Sequence, residues 1–120
     1  MAIRPSPFPV LLKALLAAAA LAPLGAWADG KEVYMLRCAS CHGQQGQGTK
    51  HLVPALAPAL KGNPFVAQGS DAAISNVIRK GRSGQQRLYN DTFPNMPSFG
   101  VEVVPDIPAL VAYLKGDLQK

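Results

Sequence analysis

A C-x-x-C-H run at residues 38–42 constrains this chain more than any other feature of its sequence. On a helical turn, positions three and four apart share one face, so Cys38, Cys41 and His42 can all reach the same bound group. This spacing is typical of covalently attached haem. Each cysteine bonds a vinyl carbon and the histidine binds the iron. The run therefore predicts one haem c, attached through Cys38 and Cys41 and ligated by His42.

Other sites that use two cysteines explain the run less well. A disulfide between Cys38 and Cys41 leaves His42 unexplained, and a thioredoxin-like redox pair occurs near a βαβ pattern that this chain lacks. A structural zinc site requires a complete tetrahedral set of ligands. Adding His51, the second histidine of the sequence, still leaves that set incomplete. We therefore interpret the run as a haem-attachment motif.

The N-terminal segment has the pattern of a secretory signal peptide. Arg4 and Lys13 accompany an apolar run over residues 14–24, and Ala26–Ala28 supplies small residues at both cleavage positions. The apolar run is shorter than the roughly twenty residues that a membrane span needs. We therefore expect an exported chain, with an uncleaved anchor as the alternative.

Cleavage after Ala28 divides the chain into two parts. Residues 1–28 form the signal peptide, and residues 29–120 form one monohaem domain that we expect in the periplasm. Export fits the motif, because two reduced cysteines in an exported chain are otherwise expected to oxidise to a disulfide. A domain of this length has a small core, so we expect the haem to supply part of its apolar interior.

The basic residues are concentrated in the centre of the chain, whose formal net charge is +5. Between residues 33 and 90 the only acidic residue is Asp71. The basic residues of this stretch include Lys50, Lys61, Arg79, Lys80, Arg82 and Arg87. A one-sided basic rim near the haem edge speeds encounter with an acidic redox partner, while a solvated face is the alternative. Few aromatic residues lie near these charges, which argues against nucleic-acid binding.

Three stretches of the predicted domain have helical patterns with end signals. The first runs from Asp29, a capping residue, to Cys41, and the second runs from a cap at Ser70 to Gly81. The third runs from Asp106 to Gly116, with a proline tolerated in its first turn. These patterns predict an all-α domain.

The connections between these helices are rich in glycine and proline. Prolines and a glycine between Pro54 and Pro64 make a helix improbable there. The stretch from Gly81 to Pro97 is typical of a long loop or a short hairpin, and loops of this length are usually functional or disordered. It leads to Met96.

The iron of a bound haem needs a sixth ligand or an open position. Met35 shares a helix with Cys38 and cannot reach the opposite haem face, which leaves Met96 and His51. Two prolines restrict the backbone of residues 93–97, so the thioether of Met96 can be held toward the iron. Core packing of Met96 is the alternative. His51 is interpreted as a loop residue.

Several further motifs surround the haem motif. They are Gly30, Tyr34, Cys38–Gly43, Gly46, Gly48, Ala57–Pro64, Val77–Gly81, Met96–Phe99 and Ile107–Leu114. Together they resemble the bacterial class I cytochromes c over essentially all of residues 29–120. The resemblance implies a small all-α fold of three to four helices around the covalent haem, in which the N- and C-terminal helices cross closely.

The resemblance also implies the contacts of the site. The carbonyl of Pro58 accepts the Nδ1 proton of His42 and so orients the ring. Leu60 belongs to the haem-binding residues, and His42 and Met96 are the two iron ligands. One alternative stays open, because Pro54–Leu56 nearly repeats the sequence of Pro58–Leu60, although the following residues Leu60–Pro64 favour Pro58.

The loop before Met96 departs from many relatives. Met96 lies fifteen positions after Gly81, and Asp91 adds a charge. Subfamilies with a Tyr-Asn pair, here Tyr89–Asn90, tolerate such a loop. A longer, charged loop can also release the methionine more easily.

The predicted function is single-electron transfer, with the haem iron cycling between Fe(II) and Fe(III) and with redox proteins such as a dehydrogenase, an oxidase or another cytochrome as partners. No nucleophile or general-base arrangement is present, so we expect a carrier and not an enzyme. The first alternative is a haem subunit of an exported dehydrogenase or oxidase complex. The second is a haem sensor of small gases or a peroxidase with a weak sixth ligand.

Overall fold

The computed structural model describes residues 2–3, 29–89 and 92–120. The predicted signal peptide, apart from residues 2–3, and the residues Asn90 and Asp91 of the methionine loop lie outside the described parts. In those parts, no helix is both long enough and apolar enough to cross a membrane.

Five α-helices form the described part of the chain, in agreement with the predicted all-α fold. They are α1 (Gly30–Arg37), α2 (Ala39–His42), α3 (Pro64–Gln68), α4 (Asp71–Lys80) and α5 (Ile107–Lys115). One short 3-10 helix, Gly84–Gln86, lies between α4 and α5, and a second, Asp117–Gln119, follows α5. Within the described residues, the β-type pairing is one isolated antiparallel bridge between Arg82 and Met96.

The first predicted helix is divided in two. Its cap is where the sequence predicts it, because the Asp29 carboxylate accepts a hydrogen bond from the Glu32 amide at 2.8 Å. The helix does not run unbroken to Cys41, since Cys38 has a φ of −114° and separates α1 from α2. The division places the haem motif at the junction of two short helices.

The helix α3 corrects the prediction that the proline-rich connection is free of helix. Pro64 lies at its first position, where the missing N–H has no helical partner to lose. The Asn63 side chain caps the helix by accepting from the Phe65 amide at 3.0 Å. The pair Asn63–Pro64 was the signal for this helix.

The two later helices match their predicted limits. The Ser70 hydroxyl caps α4 by accepting from the Ala73 amide at 3.1 Å, and α4 ends before Gly81. Asp106 caps α5 in the same way, accepting from the Ala109 amide at 3.1 Å. Both ends are therefore determined by local capping chemistry.

The terminal helices α1 and α5 cross closely, as the resemblance implies. A Cβ at Gly30 would lie 2.1 Å from the Ala109 carbonyl oxygen, so the approach requires glycine. The rings of Tyr34 and Tyr113 pack with centroids 5.5 Å apart. The fully buried Tyr34 also donates its hydroxyl to the Gly43 carbonyl at 2.6 Å, which ties the crossing to the end of the haem motif.

Helix α5 forms the centre of the core. Its buried residues Leu110, Val111 and Leu114 pack with Val33 of α1 and Ile78 of α4 in one hydrophobic cluster. Burial of such side chains contributes roughly 1.5–3 kcal/mol each. The core thus holds α1 and α4 on α5.

The C-terminal segment ties the core to the loop after the haem motif. Gln119 accepts from the Gly62 amide at 2.8 Å and donates to the carbonyls of Leu60 and Leu114, at 3.1 and 2.8 Å. Residues 60–62 are therefore held from the end of the chain.

Candidate haem site

A cavity of about 430 Å³ opens between the helices beside the haem motif. All six predicted site residues line it: Cys38, Cys41, His42, Pro58, Leu60 and Met96. Its volume lies in the range of small-molecule and cofactor sites. The fold therefore brings together residues that are far apart in the sequence.

The His42 ring has a fixed hydrogen-bond partner. Its Nδ1 lies 2.8 Å from the carbonyl oxygen of Pro58, and because that oxygen can only accept, Nδ1 carries the proton. Burial lowers the pKa of His42, and the bond to Pro58 opposes this shift. The ring is therefore held as a neutral imidazole whose Nε2 lone pair is available to a metal.

The structure distinguishes between the two similar proline segments. The carbonyl that accepts from His42 belongs to Pro58, whereas Pro54 is exposed and does not line the cavity. The hydrogen bond that the resemblance implies is thus present, and it involves the second of the two prolines.

The loop after His42 folds back tightly under the ring. The Gly48 amide donates to the His42 carbonyl at 2.7 Å. Gly48 has a φ of +75°, and a Cβ there would lie 2.5 Å from the Ala59 amide nitrogen. Glycine is therefore required at this position by both its backbone conformation and the close approach of the Pro58–Ala59 segment.

The two cysteines are free, partly buried thiols at the cavity wall. Burial raises the pKa of the Cys38 thiol to about 11, and the charge of Cys41 adds to the rise. A raised pKa makes Cys38 a weaker ionic nucleophile than a free thiol. The pair fits a structural role in attaching a group within the cavity.

Met96 lies on the loop after α4. Its backbone forms the isolated bridge with Arg82, with hydrogen bonds of 3.0 and 2.9 Å in the two directions. Its side chain is half-buried and lines the cavity. The loop is held further by Arg87, which donates to the carbonyls of Phe93 and Gly84.

The other sulfur and imidazole candidates lie elsewhere. His51 is exposed, and Met35 is 39 % exposed on α1. Neither lines the cavity. Of the two candidates that the sequence left for a sixth ligand, Met96 is the one at the cavity.

Much of the cavity wall is apolar. Its aromatic and aliphatic members include Phe65, Val66, Ile74, Val77, Ile78, Phe93 and Phe99. Several of them belong to helical apolar patterns that indicated burial without showing what they would surround. Phe65 on the unpredicted α3 was missed entirely, although the Asn63–Pro64 signal precedes it.

Arg82 was identified only as part of the basic stretch, but the structure gives it a more specific place. Its guanidinium lies 4.9 Å from the centroid of the Phe65 ring and donates to the Gln86 carbonyl at 3.0 Å. A guanidinium stacked on an aromatic face keeps its charge while covering apolar surface. Arg82 therefore places a positive charge at the edge of the cavity.

The residues present fit a haem. Two thiols and a neutral imidazole lie at one end of an apolar cavity, a thioether lies on the loop after α4, and Arg82 and Arg87 add positive charge at the lining. Thiols and a thioether are soft donors and imidazole suits iron. When bound, haem c would be held by Cys38, Cys41 and His42.

Comparison with known proteins places these features in a family. The family model for cytochrome c matches residues 27–116. Searches among curated proteins and among solved structures gave no significant match. A family match over this range implies covalent haem c, transfer of electrons through it, and redox proteins as partners. The chain therefore belongs to the cytochrome c family.

Proposed function

We propose that this chain is a bacterial class I cytochrome c that carries single electrons outside the cytoplasm. Its site would hold one haem, attached through Cys38 and Cys41 and ligated by His42 and Met96. The observation that supports the proposal best is that these four side chains line one cavity whose histidine already has a fixed tautomer. The domain assigned to this role is residues 29–120.

Haem c supplies a metal centre that changes by one electron between Fe(II) and Fe(III). The chain supplies the surroundings that make this change easy. Pro58 orients the His42 ring and fixes its protonated nitrogen, so His42 would keep the same orientation toward a bound iron in either oxidation state. A thioether ligand from Met96 would raise the reduction potential of the bound haem and would close its iron to oxygen.

The apolar wall favours the same role. Phe65, Ile78 and Phe99 contribute apolar side chains to the cavity lining. A dry, apolar shell controls the dielectric around a redox centre and so its potential. No group in this wall is positioned as a nucleophile or a general base, and we therefore propose a carrier and not an enzyme.

Basic residues near the cavity are proposed to guide a redox partner to it. Arg82 and Arg87 line the cavity, and the exposed Lys80 lies at the end of α4 beside them. Asp71, the one acidic residue of this stretch of sequence, pairs with Lys115 at 2.9 Å. A positive field of this kind attracts an acidic surface over about one Debye length, which is roughly 10 Å at 0.1 M salt.

Export remains part of the proposal. The pattern of residues 1–28 supports a signal peptide cleaved after Ala28 and a periplasmic location. N-terminal sequencing of the protein purified from the periplasm tests both statements. A mature chain that starts at Asp29 agrees with the proposal, and retention of residues 1–28 contradicts it.

Absorption spectra test the haem and its ligands together. The protein is expressed with haem-attachment machinery and measured oxidised and reduced, with and without carbon monoxide. We expect haem that survives denaturation and acid-acetone extraction, a weak ferric band in the red from sulfur ligation, and no response to carbon monoxide. Absence of covalent haem would overturn the proposal, and rapid carbon monoxide binding would favour a sensor or peroxidase.

A further inference from the structure

We propose that Thr49 is a positioning residue for His42. Its hydroxyl holds the Pro58 carbonyl in place against the histidine ring and so tunes the iron ligand. Thr49 is only 6 % exposed and belongs to none of the motifs of the sequence. The inference rests on the proposed function, because it concerns the ligand of the bound haem.

The hydroxyl of Thr49 has every hydrogen-bonding position occupied. It donates to the Cys41 carbonyl at 2.9 Å and accepts from the amides of Leu56 and Ala57, at 3.1 and 3.0 Å. The Ala57 carbonyl lies farther from it, at 3.4 Å. A hydroxyl offers one donor and two acceptor positions, so the three shorter bonds use its full capacity.

The backbone of Thr49 makes a further hydrogen bond to Ala57. Its amide donates to the Ala57 carbonyl at 3.0 Å, so Thr49 holds both polar backbone groups of Ala57. The next residue, Pro58, has no N–H with which to anchor itself. On its N-terminal side, Pro58 is therefore anchored through Ala57, while the Leu60 amide, which donates to the Gly46 carbonyl at 2.8 Å, anchors the other side.

These bonds close a ring of contacts around the histidine. Thr49 binds Cys41 and Ala57, the residues immediately before His42 and Pro58. His42 and Pro58 are in turn joined by the 2.8 Å bond between Nδ1 and the carbonyl. Thr49 thus connects the backbones on both sides of that bond.

Packing alone does not fix this segment. The side chain of Leu56 is 36 % exposed, and residues 55–60 have no regular secondary structure. Two of the amides between the prolines at positions 54 and 58 donate to Thr49. Without the hydroxyl, these amides and the Cys41 carbonyl lose their hydrogen-bond partner. Because an unpaired buried polar group is costly, residues 55–58 are then expected to shift toward other acceptors.

Such a movement has a defined electronic consequence. A short bond from Nδ1–H to a carbonyl makes the ring a stronger electron donor, which stabilises ferric iron. Lengthening that bond weakens the donation, so the reduction potential rises. The direction of the shift distinguishes this role from a general loosening that admits water, which would favour the charged ferric form and lower the potential.

The test compares Thr49→Val with Thr49→Ser as holoproteins. The valine is close to threonine in shape and lacks the hydroxyl, whereas the serine keeps it. We expect Thr49→Val to change the ferric-to-ferrous ratio at a fixed potential by roughly tenfold toward ferrous iron, a rise of about 59 mV for one electron. Thr49→Ser should stay close to the wild type. Spectroelectrochemical titration gives both values.

Val104→Ala is the control for lost stability. Val104 is fully buried in the core and does not line the cavity, so this variant should unfold more easily in urea while keeping its potential. An unchanged potential in Thr49→Val, or equal shifts in Thr49→Val and Val104→Ala, would overturn the positioning role. Absence of covalent haem in the wild type would instead overturn the proposed function.

A measurement on the wild type covers the case in which Thr49→Val does not fold. Native-state hydrogen exchange should show the Leu56 and Ala57 amides protected, although their segment is irregular and Leu56 is partly exposed. Exchange of both amides at the rate of an open loop would show that the Thr49 bonds do not persist, and would overturn the inference.

Discussion

The two loops that meet at the cavity are held in very different ways. The loop after His42, residues 43–62, is bonded to the haem motif, to itself through Gly46 and Thr49, and to the chain end through Gln119. The described residues of the loop at 81–97 are joined to one another by the bridge between Arg82 and Met96, by the Arg87 side chain and by short-range turn hydrogen bonds. Among the described residues, the histidine side is thus held by more hydrogen bonds to other parts of the chain than the methionine side.

The two proposed iron ligands are therefore held unequally, His42 through the backbone on both sides of its hydrogen bond and Met96 through its own loop. On the histidine side, moving the ring requires breaking buried hydrogen bonds that have no other partners. On the methionine side, a change near the bridge can move the thioether without disturbing the core. We therefore expect changes on the first side to affect haem attachment and potential, and changes on the second to affect access to the iron.

The largest effect is expected for Cys41→Ala, on the firmly held side. Loss of one thioether bond should lower holoprotein yield by roughly tenfold or more. Any remaining haem should be attached through Cys38 alone. Pyridine haemochrome spectra measure this directly, because a haem with a single thioether bond absorbs at a longer wavelength. Normal yield with an unshifted spectrum would contradict attachment through both cysteines.

Met96→Ala should open the iron while leaving the haem attached. The red sulfur band should disappear, reduced protein should bind carbon monoxide, and the potential should fall because a thioether ligand is lost. Met35→Ala is the matched control, since Met35 lies outside the cavity and should leave all three properties unchanged. A persistent sulfur band in Met96→Ala would show that another residue is the ligand.

Arg87→Ala should loosen the methionine loop without removing the ligand. It deletes the contacts to the Phe93 and Gly84 carbonyls, each worth about 1 kcal/mol. We expect the rate of cyanide binding to ferric protein to rise by about fivefold per such contact, measured by stopped flow. Lys50→Ala, an exposed residue outside the cavity lining, should have no effect. Equal rates in both variants would show that Arg87 does not hold the loop.

The smallest effect is expected for Lys80→Gln, which changes only the surface charge beside the methionine loop. Reduction by an acidic partner should slow at low salt and match the wild type at high salt, because screening removes the attraction. Rate constants across a series of ionic strengths provide the test. A slope equal to that of the wild type would exclude Lys80 from the docking surface.

The parts of the fold that the sequence predicts are those with local signals. Asp29, Ser70 and Asp106 mark helix starts, because the side-chain oxygen of each accepts a hydrogen bond from a backbone amide three residues later. Cys38, Cys41 and His42 are also close neighbours in the chain, so their spacing alone identifies the motif. Such contacts depend only on neighbours in the chain.

Contacts that depend on the folded backbone were not predictable in this way. Thr49 is an ordinary loop residue in the sequence, and only the folding back of the loop brings it to Ala57 and Cys41. The proline rule failed at Pro64 because the same residue that ends one helix is well suited to begin another. The choice between Pro54 and Pro58 likewise depends on which carbonyl the loop presents to His42.

The close crossing of Gly30 over Ala109 also has a kinetic consequence. The two helices that make this contact lie near opposite ends of the predicted domain, so most of its residues form the loop that the contact closes. Proteins with many such distant contacts fold slowly, because the entropy of closing the loop is lost before the contact is gained. Closing this loop is therefore expected to add to the entropic barrier to folding.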